Sequence, residues 1–147
     1  MAPHTIAVAG KGGVGKTTTC GMIIDYLCGK KRGPVLVVDA DANSNLNEVL
    51  GVEVETSLGQ IREEMAQAEL KGTIPKGMTK ADYAEMKFGD ALIEDDDFDM
   101  LVMGRTQGKG CYCYVNGVLQ SQLSKYLPNY SYVVMDNEAG LEHIARG

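Results

Sequence analysis

No run of apolar residues in this 147-residue sequence is long enough to cross a membrane, since a spanning helix needs about 20 of them. The chain also lacks a charged opening followed by a long apolar stretch. It enters Thr5-Ile6-Ala7-Val8-Ala9 almost at once, so no signal peptide is expected and the cytoplasm is the default location. Positive charge is in short supply: 14 Lys and Arg face 20 Asp and Glu, for a formal charge of −6. A general nucleic-acid binder needs clustered Lys and Arg to neutralise phosphates, which argues against one here. Histidine is nearly absent, with His4 and His143 at opposite ends of the chain. The four cysteines therefore have no imidazole nearby in sequence, and in a reducing compartment they read as thiols or metal ligands rather than a disulfide framework. There is no internal repeat or low-complexity tract. The remaining composition, 44% hydrophobic and 23% charged, suits one compact globular domain.

Glycine, in contrast, is plentiful at 18 residues, and the densest stretch is Gly10-Lys11-Gly12-Gly13-Val14-Gly15-Lys16-Thr17-Thr18. A short apolar strand precedes it and an amphipathic pattern, Met22, Ile23, Ile24 and Leu27, follows it, so the reading is strand, glycine-rich turn, helix. Glycines let successive backbone N–H groups point inward as an anion nest, and the helix N-terminus adds unpaired donors. In this pattern Gly12, Gly13, Val14, Gly15 and Thr18 cradle phosphates, Lys16 supplies charge to the β- and γ-phosphates, and the Thr17 hydroxyl can ligate Mg²⁺. Lys11 has no role in that basic cradle. The whole string Lys11 to Thr18 closely resembles the deviant phosphate loop of the MinD/ParA/nitrogenase-iron-protein ATPases. That resemblance implies that Lys11 contacts ATP across a dimer, so that nucleotide binding and dimerisation are coupled.

Downstream, Pro34 to Val38 reads as a second buried strand, ending in Asp39-Ala40-Asp41. Carboxylates at strand ends lie where ligands bind in open α/β sheets, and two of them one residue apart can serve Mg²⁺, its waters or an attacking water. By resemblance to the first switch of the same family, Asp41 orients or activates the hydrolytic water, Asp39 lies near the Mg²⁺ shell and Asn45 contacts nucleotide or reports its state; Ala42 departs from the proline often found there. A polar middle follows, with a helix capped by Ser57, a loop over 71–77 and a short helix from Lys80. The acidic run Glu94 to Asp97 reads as a solvated loop. Asp99 to Gly104 forms a third strand, Val118 to Tyr126 a helix, and Tyr130 to Asp136 a fourth strand. The last resembles a Walker B strand whose Asp136 supports Mg²⁺, with Asn137 to Gly140 as the second switch. Cys20 and Cys28, eight apart on the first helix, are too far from each other to share a metal and read as small buried hydrophobes.

Cys111-Tyr112-Cys113 lies between glycines after the third strand, which suggests an exposed loop. Two cysteines supply only half of a tetrahedral thiolate site. A twofold dimer would bring four sulfurs to its axis; a redox pair or ordinary thiols are the alternatives. The surrounding Gly104-Arg105, Gly108, and Gly110 to Asn116, with Leu58 to Glu64, Gly77-Met78, Phe98 to Arg105 and Val134 to His143, are similar to the carbon monoxide dehydrogenase accessory ATPases, the CooC-type nickel-insertion factors. That resemblance implies Ni²⁺ or Zn²⁺ held by Cys111 and Cys113 at a homodimer interface, ATP turnover to ADP, and nickel-free carbon monoxide dehydrogenase as partner. It implies neither a nucleic-acid nor a membrane partner.

The expected fold is α/β, a mostly parallel sheet with flanking helices, of the P-loop NTPase (SIMIBI) type. Compared with the family the chain stops early at Gly147, so residues 1–147 are expected to be the N-terminal part of a single ATPase domain, without the adenine-binding part. The competing functions are a ParA- or MinD-like positioning ATPase, an electron-transfer ATPase like the nitrogenase iron protein, and a metal carrier without ATPase activity.

Overall fold

A computed structural model describes residues 2–10, 15–41, 45–104 and 113–138. The expectations for Lys11, Gly12, Gly13, Val14 and Cys111 lie outside these residues. The elements are β1 (His4–Gly10), α1 (Lys16–Gly29), β2 (Val35–Ala40), α2 (Leu46–Leu50), α3 (Leu58–Lys71), α4 (Lys80–Ala91), β3 (Ile93–Glu94), β4 (Asp99–Val102), α5 (Cys113–Tyr126) and β5 (Tyr132–Glu138), with a 3-10 turn at Leu127–Asn129. The strands form one sheet in the order β1-β5-β2-β4-β3. All neighbours run parallel except β3, which is antiparallel to β4.

β2 is the middle strand, and Val35 to Asp39 are all buried. A parallel strand covered on both faces needs a continuous apolar run rather than alternation, which is what Val35-Leu36-Val37-Val38 supplies. Side chains still alternate between the two faces. Val35, Val37, Met100 and Val134 pack with Cys20, Ile24 and Leu27 of α1 and Leu46 of α2. Leu36, Val38, Leu101 and Val133 pack with Ile61 and Met65 of α3, Phe88 of α4 and, at its margin, Leu123 and Tyr126 of α5. Phe88 is fully buried, its ring centroid 4.9 Å from that of Tyr126.

The helix signals in the polar middle were stronger than their sequence reading. Ser57 accepts a hydrogen bond from the Gln60 N–H, and the Gln60 side chain accepts one from the Ser57 N–H. Thr79 and Asp82 form the same reciprocal pair at α4. Such boxes satisfy two orphan donors each and contribute about 1 kcal/mol. With these starts, α3 runs to Lys71 and α4 to Ala91, past the Met65 and Met86 to which the sequence patterns extend.

Three further differences have physical causes. A fifth strand is present, because Ile93 and Glu94 pair with Met100 and Asp99 around a tight turn closed by Asp95 N–H to Phe98 O (2.9 Å). Part of the acidic run is therefore a strand. α2, one turn and a half, was not foreseen. α5 begins at Cys113 instead of Val118, so Cys113 is the first residue of a helix rather than part of a loop.

β4 leaves the sheet through Gly104, whose φ is +69°. A Cβ there would meet Ser57 Cβ and Oγ at 2.7 Å. The nearby Gly59 N–H donates to Met103 O (2.8 Å), so the start of α3 is fitted against the end of β4. Gly51 has a similar φ, +72°, but open space around it. A left-handed non-glycine residue costs about 1–2 kcal/mol from backbone strain alone. Gly104→Ala should therefore destabilise the fold more than Gly51→Ala, by about 1 kcal/mol or more from the added overlap. Urea denaturation of the two variants measures this; equal losses would show that the Ser57 contact yields freely.

Candidate functional site

β1 leads into α1 across one face of the sheet, while α5 returns to β5 across the other. The carboxyl ends of β1, β5 and β2 therefore meet where the connections diverge, the position at which open α/β sheets bind ligands. Register sets the chemistry there. Asp39 lies beside Asp136, and Asp136 beside Val8 of β1. Alternation puts Asp39 and Asp136 on the face that α1 covers, and Lys16 begins α1.

The Lys16 side chain is 6% exposed and its ammonium is surrounded by three oxygens. It forms a close ion pair with Asp41 Oδ2, an ion pair with Asp136 Oδ1 at 2.9 Å, and a hydrogen bond to the Asn137 main-chain carbonyl at 2.8 Å. Burial by itself would lower the Lys16 pKa; the Asp41 and Asp136 carboxylates outweigh it, and the net shift is upward. The ammonium is thus charged at any working pH. Breaking such a buried pair from one side leaves an uncompensated charge and typically costs about 3–5 kcal/mol.

Asp39 is 2% exposed, and its Oδ1 accepts a hydrogen bond from the Asp41 N–H at 3.2 Å. Burial pushes its pKa up to about 6, with Asp136 and Asp41 adding to the rise and the Asp41 N–H and Lys16 opposing it. Asn137 is also buried, and its Oδ1 has no hydrogen-bond partner among the described residues. Alternation places that side chain on the face opposite Lys16.

Gly15 precedes α1 with φ +79°, and no side chain among the described residues caps the helix. Its first-turn N–H groups lie next to Lys16, half-buried Thr17 and exposed Thr18. These features fit a phosphate chain with Mg²⁺. The donors suit the anion, and Mg²⁺ takes only one or two carboxylates besides phosphate and water, a role open to Asp39 or Asp136. Among the described residues there is no group of three or more His, Cys, Asp or Glu placed to hold a metal by itself.

The structure thus brings together Lys16, Asp39, Asp41 and Asp136 from the sequence-predicted set. Asn45 sits at the start of α2, exposed, its side-chain amide donating to Glu48 at 3.3 Å. The Asn137 carbonyl was missed, because no side-chain pattern reveals a main-chain acceptor. Cys20 is fully buried and burial pushes its thiol up to about 12, while Cys28 donates to Asp97 O at 3.5 Å. Both are packing residues, as their spacing suggested.

The Asp39 shift gives a pH signature. Folded protein holds this proton up to about pH 6 and unfolded chain only to about 3.8. Folded protein therefore binds more protons in that window, and stability falls as pH rises through it. Above the window the penalty is complete, roughly 3 kcal/mol. Asp39→Asn should stabilise nucleotide- and metal-free protein by up to that amount at pH 7.5, shrinking to about 1 kcal/mol at pH 4.5. Urea denaturation in EDTA at both values checks this; a gain independent of pH would contradict it.

A family model described as an AAA domain matches residues 3–146. An uncharacterized ATP-binding protein of Methanocaldococcus jannaschii is 51% identical over 141 residues, covering 96% of this chain and 55% of the relative. The carbon monoxide dehydrogenase accessory protein CooC of Rhodospirillum rubrum is 32% identical over 154 residues, covering 97% of this chain and 57% of CooC. The chain spans little more than half the length of these relatives. Among solved structures, a ParA family ATPase from Chlorobium tepidum aligns with a TM-score of 0.59 at 17% identity, covering 97% of this chain and 55% of that one. The MinC:MinD complex of Aquifex aeolicus aligns at 0.56 and 24%, covering 96% and 49%. Those two likenesses are of fold. The family model covers nearly the whole length, so this chain belongs to that AAA-domain family, with the fold seen in the ParA and MinD ATPases.

Proposed function

We propose that the protein is an ATP-hydrolysing metallochaperone, a nucleotide-dependent homodimer that holds Ni²⁺ or Zn²⁺ through Cys111 and Cys113 for the maturation of carbon monoxide dehydrogenase. The observation that carries the ATPase half is the buried Lys16 ammonium between Asp41 and Asp136, at the uncapped start of α1. Lys16 and the first turn of α1 would hold the phosphates, with Gly12 to Gly15 before them. Thr17 and Asp136 would hold Mg²⁺, which neutralises charge on the phosphates when bound. Asp41 would orient the attacking water, Asp39 would support this shell by its bond to the Asp41 N–H, and Lys11 would act across the dimer.

The metal half rests on the Cys-x-Cys pair and on the likeness to CooC. Cys113 starts α5, so one thiol is attached to a regular helix whose other end packs against Phe88. A positioning ATPase of the ParA or MinD kind has no use for such a pair, and the iron protein takes its thiolates from well-separated positions.

Two expected outcomes test this. Lys16→Ala should lower ATP turnover by 100-fold or more, on the scale of losing a transition-state charge contact worth about 3 kcal/mol; turnover within a few-fold of the parent would exclude the assigned site. Replacing both Cys111 and Cys113 with Ser should abolish binding of about one metal ion per dimer while leaving ATP binding intact. Nickel and zinc titrations with and without MgATP, with oligomeric state read alongside, measure this. Unchanged nickel stoichiometry would remove the metal assignment and favour a positioning ATPase, and a broad iron–sulfur absorption in anaerobically purified protein would favour the electron-transfer reading.

A further inference from the structure

A lysine ammonium has three N–H donors and no acceptor. In this protein three oxygens already surround it: Asp41 Oδ2, Asp136 Oδ1 and the Asn137 carbonyl. Two of the three, Asp41 Oδ2 and the Asn137 carbonyl, accept hydrogen bonds from the ammonium and Asp136 Oδ1 is an ion-pair contact, so a phosphate oxygen that reaches Lys16 competes with them. The three are not equally easy to displace. The Asn137 carbonyl belongs to β5, which is paired on both sides, to β1 and to β2. Asp136 precedes it in the same strand and its side chain is 0% exposed. Asp41 lies one residue beyond the end of β2, and its side chain is 11% exposed. It is the most exposed of the three groups, so its carboxylate regains hydration most readily on leaving the lysine. The Asp41 main chain is meanwhile held by its N–H to Asp39 Oδ1, so displacement turns the side chain and leaves the backbone in place.

We infer that Asp41 is an internal competitor for the phosphate-binding lysine, and that nucleotide binding exchanges the Asp41 carboxylate for a phosphate oxygen on the Lys16 ammonium. The inference rests on the reading of Lys16 as the nucleotide's lysine and goes beyond it. The residue assigned to the attacking water is withheld while the site has no nucleotide, and it is released by the event that loads the substrate. Apparent nucleotide affinity is lowered by the stability of the Lys16–Asp41 pair, as for any binding-competent state that is a minor population.

The test uses the full chain and ADP in EDTA at pH 8, so that Mg²⁺ ligation plays no part. Asp41→Asn removes the competitor. Asp39→Asn removes a carboxyl group from the same site without touching Lys16, and so controls for the general loss of negative charge near an anion. Asp41→Asn should bind ADP about fivefold to tenfold more tightly than both the parent and the Asp39→Asn control, the scale of one partly buried ion pair. Affinity equal to or below either one overturns the exchange. A second reading needs only the parent fold: with ¹³C-labelled aspartate carboxyls, saturating ADP should move the Asp41 resonance to that of a solvated carboxylate, and an unmoved resonance overturns the proposal even if a variant misfolds. A parent protein that binds neither ADP nor MgATP would instead defeat the nucleotide reading on which the exchange stands.

Discussion

One buried cation organises this molecule. The Lys16 ammonium joins the start of α1 to the end of β5 through Asp136 and Asn137, and to the end of β2 through Asp41. A charge so placed is tolerable only while its partners stay in position. The carboxyl ends of two neighbouring strands and the amino end of a helix are thereby held at one point. The cost appears next door, in Asp39, whose carboxyl is buried beside two others and holds its proton to about pH 6. Such perturbed groups cluster where a protein handles charged ligands.

That convergence depends on strand order. β1 and β2 are consecutive parallel strands linked by α1, yet β5 lies between them. Without this insertion Asp136 would not sit beside Asp39. The apolar sheet is equally the product of the insertion, since β5 supplies Val133 to one core and Val134 to the other.

Much of this could be read in the sequence, for physical reasons that differ by element. The glycine-rich loop and its flanking strand and helix combine composition with order, and Val35 to Val38 form an apolar run that only a covered strand explains. Ser57 was recognisable as a cap because its partner, Gln60, is three residues away. The Thr79–Asp82 box is as local and was there to be found. Other features are tertiary. β3 is two residues long and exists only because β4 lies beside it. The early start of α5 runs through β-branched Val115 and through Gly117, against local propensity. Within the site, Asp39, Asp41 and Asp136 were each marked by their place at a strand end. The lysine that Asp41 and Asp136 share was not, because a lysine that points at phosphate and one that points at carboxylates have the same sequence. Asn45, marked by its position in the same motif, stands exposed at the start of α2 with its side-chain amide donating to Glu48.

The sheet is also a partition. α1 and the Lys16 cluster occupy one side of it, and α5, which carries Cys113, packs on the other. β5 is the strand that both sides share. Its Asn137 offers a main-chain carbonyl to Lys16, and alternation turns its buried side-chain amide toward the α5 side, so a single residue borders both chambers.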